Sequence, residues 1–448
     1  TKGMWLDETF SIWLANQGPG DILQWIAKID QHPPLYYLLL HYWVALYGDT
    51  PYAARLLSAL FGTATIPIMY LTGKRLSGPV MGLIAAVLLA FSPFNIFYAQ
   101  EARMYTLLAF NAAVAIYALV YLLTDPRAAG PIGGKLRRFP QAWRGQRWSS
   151  LRSIATDLAW VALIVFSAAT LLTHNTAVFF VLAINLFVLG LLLYQRIKKG
   201  GAPPALQAPS LANWVKAQVG IFLLWGLWIA VFVRQSAKVY AEFWIPPPTF
   251  DSIVQTLRLL LNATAQGRPS QIVILWLLVL MLCLGAIYYR KQLSIFLFLA
   301  TLFAVPFLGE LIVSLRRPIF YDRTLIWITI PLLLLLAAGI MQLRFRLLMI
   351  LVLGVVATNY MFTAGDYYRF FQKEDWATAA GHVAYSAQKG DLVLFNSNFV
   401  EIPFDYYFRP YEDQYGLQVV KQGAPLDLLG DGVLEPKMTE GDIPKLAT

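Results

Sequence analysis

Long apolar runs separated by short polar loops dominate the chain. About 20 consecutive apolar residues suffice for an α-helix to cross a bilayer, and about ten runs approach that length. These predicted spans cover residues 54–72, 79–98, 104–123, 154–173, 176–194, 214–233, 271–289, 293–314, 324–341 and 347–363. The pattern predicts a polytopic α-helical membrane protein with about ten transmembrane helices.

Basic residues mark every second loop and orient the spans. Lysine and arginine gather in Gly73-Lys74-Arg75, in the loop 126–153, in the RIKKGG segment, around Arg290 and around Arg344. Loops rich in these residues are typical of the cytoplasmic side. The opposite, outer face then receives residues 1–33, 100–103, 173–175, 234–270, 316–323 and 364–448.

The two ends of the chain lie outside the predicted spans. Residues 20–29 and 34–48 are interpreted as interfacial helices of the first outer loop, because counting 34–48 as a span would invert every later loop. The chain opens on the polar residues TKG, so a further span is expected before it. At the other end, a capped helix followed by the apolar strand 392–395 predicts a small α/β domain. The predicted domains are therefore 1–50, 51–363 and 364–448.

Composition supports the membrane class and disfavours nucleic acid as a partner. The 448 residues are 58% hydrophobic and 13% charged, whereas soluble domains carry roughly 25% charged residues. The net charge of +10 lies mainly in the short basic loops, where membrane orientation already explains it. The single cysteine, Cys283, excludes an intramolecular disulfide.

Charged residues at the outer span ends form the candidate site. Asp7 and Glu8 lie side by side in the apolar segment MWLDETFSIWL, where two carboxylates are costly unless they have a role. Cations of this set would bind a phosphate, and a carboxylate would accept a proton. The full set is Asp7, Glu8, Asp30, His32, Glu101, Arg103, His174, Arg316, Arg317, Asp322 and Arg323.

Four ordered motifs resemble one enzyme family over roughly the first 125 residues. They are WLDETFS at 5–11, DQHPPLYY at 30–37, YAARLLSALFG at 52–62 and SPFNIFYAQEARMY at 92–105. Together they resemble the N-terminal half of glycosyltransferase family 39. That family includes protein O-mannosyltransferases and lipid A aminoarabinose transferases, all with the GT-C fold.

The resemblance implies a reaction and roles for particular residues. It implies an inverting transfer of a hexose or pentose from a polyprenyl phosphate carrier to a hydroxyl on the non-cytoplasmic face. The general base of the first outer loop maps onto Asp7, with Glu8 supporting it or ordering the loop. Adjacent helical positions point about 100° apart, so the two carboxylates cannot both face one atom.

The remaining residues are candidates for binding the substrate. A departing phosphate already carries charge, so it needs cations more than a general acid. The predicted substrate-binding residues are His32, Glu101, Arg103, His174, Arg316, Arg317 and Arg323. His32 stands where aminoarabinose transferases carry a lysine, and this departure weakens any transfer of their sugar specificity to this chain.

Structural alternatives remain open for several of these residues. Glu101 and Arg103 would pair and cap the next helix, His174 would be a satisfied interface histidine, and Arg316 and Arg317 would anchor lipid headgroups. No cofactor is certain. A divalent metal stays open, because Asp7, Glu101 and His174 would supply ligands if they converged.

The expected partners are a polyprenyl-phosphate-linked sugar, a protein, lipid or glycan acceptor, and membrane lipids. The expected location is a bacterial inner membrane, with the active site on the outer face. The main alternative is a secondary transporter or flippase of a lipid-linked or anionic substrate. Such proteins need ionisable groups near mid-membrane, whereas the charges here cluster at span ends. A catalytically silent subunit is a third possibility.

Overall fold

The computed structural model describes residues 2–28, 32–129, 149–198, 204–238, 245–264 and 270–423, and these are predominantly helical. The helices are α1 (Leu6–Ala15), α2 (Pro19–Lys28), α3 (Leu35–Tyr47), α4 (Pro51–Ser77), α5 (Pro79–Phe91), α6 (Pro93–Ala99), α7 (Tyr105–Thr124), α8 (Ser149–Leu171), α9 (Val178–Ile197), α10 (Leu211–Lys238), α11 (Phe250–Leu260), α12 (Ser270–Tyr288), α13 (Leu293–Ser314), α14 (Thr329–Gln342), α15 (Arg346–Phe370), α16 (Trp376–Ser386) and α17 (Glu401–Tyr415). Two short strands, β1 (Leu392–Phe395) and β2 (Val420–Gly423), follow α16 and α17. The basic loop residues 130–148, Lys199 and Asp30 lie outside the described residues.

The chain divides into two compact units. One, the loop unit, comprises Thr1–Ser58, Glu101–Arg103 and Phe370–Thr448. The other, the span unit, comprises Ala59–Gln100 and Met104–Arg369. The domain boundaries at residues 50 and 363 stay predictions.

The helices are long and apolar enough to identify a multi-pass membrane protein. Among the described residues, nine helices could each cross a bilayer by length and composition, and a bent pair brings the number to ten. The nine are Pro51–Ser77, Tyr105–Thr124, Ile154–Leu171, Asn175–Ile197, Leu211–Ser236, Ser270–Lys291, Leu293–Ser314, Asp322–Gln342 and Arg346–Phe370. The predicted class and the predicted number of about ten spans are confirmed.

One predicted span, residues 79–98, is bent by 58° between α5 and α6. The bend follows from Ser92-Pro93, because proline disfavours helical backbone at the residue before it. A residue far along the chain stabilises the break: the Asn262 side-chain oxygen accepts hydrogen bonds from the Ser92 hydroxyl at 3.0 Å and the Phe94 amide at 2.9 Å. Asn262 itself adopts a left-handed backbone, with φ of 57°, which asparagine tolerates better than most residues.

Helices α12 and α14 pack backbone to backbone in the span unit. A Cβ atom added at Gly339 would lie 1.8 Å from the Met281 carbonyl oxygen, and one at Gly285 would lie 2.2 Å from that of Leu335. Small residues permit this close approach, which is a common way for membrane helices to associate. The candidate span Asp322–Gln342, which contains α14, is the most enclosed of the nine.

The loop unit combines the first three helices with the C-terminal region. The C-terminal strands form a parallel two-stranded sheet, with Leu392 opposite Val420. The hydrophobic core of the C-terminal region contains Ala380 of α16, Phe395 of β1, and Phe404 and Phe408 of α17. The predicted small α/β region is confirmed, and its residues 424–448 lie outside the described part.

Helices α2 and α3 correspond to the two predicted interfacial segments. Tyr36, Tyr37 and Leu40 of α3 are buried, while Tyr42 and Tyr47 of the same helix are each 60% exposed. This two-sided character suits a helix lying at a bilayer surface. The interfacial location stays a prediction.

We expect Gly339→Ala to destabilise the span unit by about 1–3 kcal/mol, because the added methyl group has no space against the Met281 carbonyl. The measurement is unfolding of the purified protein in mixed detergent micelles. The matched control is Gly354→Ala in α15, where an added Cβ meets nothing within 4 Å. Equal stability of the two variants would contradict the close packing of α12 and α14.

Candidate active site

The first turn of α1 directs its two carboxylates into different surroundings. Helix α1 begins at Leu6, and Asp7 and Glu8 are its acidic first-turn residues. The Glu8 side chain is fully buried, whereas the Asp7 side chain is 25% exposed. Their neighbouring positions on a helix produce this separation.

Four hydrogen bonds occupy the Glu8 carboxylate. Arg55 of α4 donates from Nε to Oε1 and from Nη2 to Oε2, both at 2.7 Å. Lys373 donates from Nζ to Oε2 at 2.8 Å, and the Ala102 amide donates to Oε1 at 2.9 Å. A carboxylate with two cations and a backbone amide is suited to hold segments of chain together.

The cations decide the protonation state of Glu8. Burial alone would raise the pKa of the Glu8 carboxyl, but the hydrogen bonds and charges of Arg55 and Lys373 outweigh it. The pKa of Glu8 therefore lies below its ordinary value of 4.5. Glu8 is accordingly ionised at neutral pH.

Arg103 binds the beginning of α1. Its Nη1 donates to the Asp7 carbonyl oxygen at 3.3 Å, to Ser11 Oγ at 3.3 Å and to Tyr37 Oη at 3.2 Å. Its Nε lies 3.9 Å from Asp7 Oδ2, within ion-pair distance. The Arg103 side chain is only 4% exposed, so its position is set by α1 and α3.

Glu101 is bound by the same lysine as Glu8. Lys373 Nζ donates to Glu101 Oε1 at 3.1 Å, and both side chains are 3% exposed. The structure thus brings together the predicted residues Asp7, Glu8, Glu101 and Arg103. His32 also belongs to the loop unit, where it is half-buried before α3.

Two predicted residues of the span unit lie beside aromatic rings. His174 is 6% exposed; its ring centroid is 6.4 Å from that of Tyr105, and its Nδ1 accepts from the Thr176 amide. The Arg323 guanidinium carbon lies 5.5 Å from the Tyr105 ring centroid and 4.8 Å from that of Tyr321. His174 and Arg323 therefore share one tyrosine as a neighbour.

The other two predicted arginines differ in their surroundings. Arg317 Nη1 donates to the Ser236 carbonyl oxygen, whereas Arg316 is exposed. Next to Arg323, the Asp322 carboxylate accepts from Tyr98 Oη at 3.4 Å. These contacts are compatible with either substrate binding or anchoring.

A buried carboxylate occurs in α13. Glu310 is 1% exposed, and its Oε2 accepts from Thr324 Oγ1 at 2.7 Å.

Within the part of the chain that the structure describes, no group of three or more His, Cys, Asp or Glu side chains could hold a metal ion.

Sequence reasoning missed two cations of the site. Arg55 stands inside the motif YAARLLSALFG, and a charge at the start of an apolar span was a usable signal. Lys373 follows the last span in the segment FQKED, where a lysine resembles an ordinary headgroup anchor. Only the folded chain brings Lys373 to Glu8 and Glu101.

Solved structures share this architecture over most of the chain. This chain is similar to the crystal structure of ArnT from Cupriavidus metallidurans in the apo state, with 13% identity and a TM-score of 0.58. The match covers 94% of this chain and 85% of that chain. The fold is that of the GT-C glycosyltransferases. The crystal structure of the same ArnT bound to undecaprenyl phosphate gives 13% identity, coverage of 94% and 86%, and a TM-score of 0.57.

Two further comparisons agree with the GT-C fold. The crystal structure of the Archaeoglobus fulgidus oligosaccharyltransferase tethered with an acceptor peptide is 9% identical and covers 94% of this chain and 60% of that chain, with a TM-score of 0.53. Residues 31–133 match the family model described as dolichyl-phosphate-mannose-protein mannosyltransferase. The resemblance to GT-C glycosyltransferases is confirmed. By sequence alone, no curated protein matches the chain.

We expect Glu8→Gln to destabilise the protein by about 3–5 kcal/mol at pH 7, because it leaves the buried charges of Arg55 and Lys373 without their carboxylate. The folded pKa of Glu8 lies below its unfolded value, so its stabilisation is present above pH 4.5 and is lost as the pH falls through the folded pKa. The difference in unfolding free energy between wild type and variant should therefore shrink in acid.

The measurement is detergent-micelle unfolding across pH 7 to pH 3, with Asp21→Asn on the exposed first turn of α2 as control. A destabilisation by Glu8→Gln that does not change with pH would argue against an ionised, ion-paired Glu8.

Proposed function

We propose that this protein is an inverting glycosyltransferase that moves a sugar from a polyprenyl phosphate carrier to an acceptor hydroxyl. The observation that carries the proposal is that two adjacent carboxylates on a GT-C fold have different surroundings. Glu8 is buried in ion pairs, and Asp7 is partly exposed beside Arg103. The similar ArnT was crystallised with undecaprenyl phosphate, and the similar oligosaccharyltransferase with an acceptor peptide. The first ligand supports a polyprenyl phosphate carrier, and the second supports a separate acceptor molecule.

Asp7 is the proposed general base. The attacking hydroxyl must lose its proton as its oxygen bonds to the anomeric carbon, and a positioned carboxylate typically contributes 10²–10⁴-fold to the rate. The base must be reachable by the acceptor. Asp7 meets this condition through its partly exposed side chain, whereas Glu8 has no exposed surface.

Cations are proposed to bind the departing lipid phosphate. Arg323 is the first candidate, since its guanidinium group lies beside two tyrosine rings and has the planar donor geometry that matches a phosphate. His32, Arg316 and Arg317 are further candidates, and His174 would support the same region through Tyr105. Glu101 and Arg103 are assigned to holding α1 in place.

The proposed location of the reaction is the outer face of a bacterial inner membrane. The basic loops between spans support this orientation, because they favour the cytoplasmic side. The acceptor is a hydroxyl of a protein, lipid or glycan at that face.

We expect Asp7→Asn to abolish sugar transfer, by at least about 10²-fold, without loss of folded protein, because the amide cannot accept the hydroxyl proton. The measurement compares lipid and glycan extracts, by mass spectrometry, from cells that lack the gene and carry wild type, Asp7→Asn or Asp21→Asn. The Asp21 variant removes an exposed carboxylate from α2 and should restore the product.

Full product formation by Asp7→Asn would remove Asp7 as the base. If deletion of the gene left every glycosylated product unchanged, the glycosyltransferase assignment itself would be wrong. Counterflow of labelled substrate in proteoliposomes would then test a transporter.

We expect Arg323→Gln to weaken binding of undecaprenyl phosphate about 10- to 100-fold, since hydrogen bonds to a charged group contribute about 1.5–3 kcal/mol. Native mass spectrometry of the purified protein with added undecaprenyl phosphate measures this. Arg346→Gln, at the exposed start of α15 and on the predicted cytoplasmic side, is the control. Equal binding by the two variants would exclude Arg323 as a phosphate ligand.

A further inference from the structure

We infer that Lys373 is a positioning residue for Asp7, tying the chain that follows α15 to the first turn of α1. The inference rests on the proposed function for its kinetic consequence. The geometry that carries it lies entirely within the loop unit.

Lys373 is a buried cation between two buried carboxylates. Its Nζ lies 2.8 Å from Glu8 Oε2 and 3.1 Å from Glu101 Oε1, with 3% of its side chain exposed. Along the chain, Lys373 is 365 positions from Glu8 and 272 positions from Glu101. An uncompensated buried charge is strongly destabilising, so each partner requires the others.

The residues around Lys373 contact α1 and the chain that leads into it. Glu374 Oε2 accepts from the Leu6 amide at 3.3 Å, and Lys2 Nζ donates to the Phe371 carbonyl oxygen. Lys373 Nζ also lies 5.6 Å from the Trp5 ring centroid. Segment 371–374 therefore holds residues on both sides of Asp7.

Asp7 depends on this attachment. Its neighbours Leu6 and Glu8 are bound to Glu374 and Lys373, and its own carboxylate lies near Arg103. The cluster contains three carboxylates and three cations: Asp7, Glu8, Glu101, Arg55, Arg103 and Lys373. Removing the lysine charge leaves an excess of buried negative charge beside Asp7, which repels and displaces the first turn of α1.

A second lysine of the same region provides a matched control. Lys421 of β2 also bridges two carboxylates, those of Asp405 and Glu412 in α17. Both its partners belong to the C-terminal region, and α1 supplies neither. Lys421→Met therefore removes an equivalent bridge that does not include the Asp7-Glu8 turn.

The first test measures order in the first turn of α1, independently of activity. The Glu8 and Thr9 amides donate to the Trp5 carbonyl oxygen at 3.1 and 3.0 Å, so their hydrogen exchange reports this turn. We expect Lys373→Met to accelerate exchange in peptides covering residues 2–9 by at least tenfold. Lys373→Arg, which keeps the charge, should stay within about threefold of wild type, and Lys421→Met should leave these peptides unchanged.

The second test measures transfer by the purified full chain in proteoliposomes, with the polyprenyl-phosphate fraction of the host membranes as donor. We expect Lys373→Met to lower kcat about 10²-fold, the typical cost of a displaced catalytic group, with KM for the donor fraction changed less than threefold. The kcat of Lys373→Arg should be at least tenfold higher than that of Lys373→Met, and Lys421→Met should keep the wild-type kcat.

The results separate this inference from the proposed function. Unchanged exchange over residues 2–9, or a kcat within threefold of wild type, in folded Lys373→Met would overturn the positioning role. An inactive wild type would overturn the proposed function alone, and exchange would still decide the role of Lys373. If Lys373→Met yields no folded protein, Glu101→Gln replaces it. That variant removes one of the two carboxylates that Lys373 bridges and should accelerate hydrogen exchange in the same peptides. Unchanged exchange would overturn the inference.

Discussion

The buried ion pairs of Glu8 are the constraint on which the candidate site depends. A carboxylate without exposed surface is tolerated only with compensating cations, and here Arg55 and Lys373 supply them. Because these partners come from the start of α4 and from the chain that follows α15, satisfying one side chain requires three distant segments to meet. The location of α1, and with it of Asp7, is a consequence of that requirement.

Helix geometry then separates the two acidic residues by role. The side chain that points inward becomes part of the framework, and its neighbour remains partly exposed beside Arg103. Two adjacent carboxylates therefore have different surroundings, one buried in ion pairs and one partly exposed, and only the second is reachable in the way that the proposed general base requires. The span unit contributes a different kind of polar region, in which Tyr105 lies beside both His174 and Arg323.

Two features organise the span unit: the close backbone contacts between α12 and α14, and the bend between α5 and α6. Gly285 and Gly339 let α12 and α14 approach so closely that no larger residue fits. At Ser92 the span instead bends, and Asn262 satisfies the hydroxyl and amide groups that the bend releases. Apolar surroundings make both features necessary, since an unpaired polar group within a membrane costs several kcal/mol.

The sequence by itself determined the membrane class, the approximate limits of every described span, the small α/β region and the motif containing Asp7 and Glu8. These follow from hydrophobic run length and from short motifs, which are local properties of the chain. Only the tertiary structure revealed the stabilisation of the 58° bend by Asn262 and the contacts of Lys373 with Glu8 and Glu101. Each of these depends on a partner more than a hundred residues away, and no local pattern of polarity specifies which distant charge or hydrogen bond a side chain will meet. From the sequence alone, a lysine after an apolar helix is interpreted as a headgroup anchor. Only the fold shows the two carboxylates that Lys373 binds.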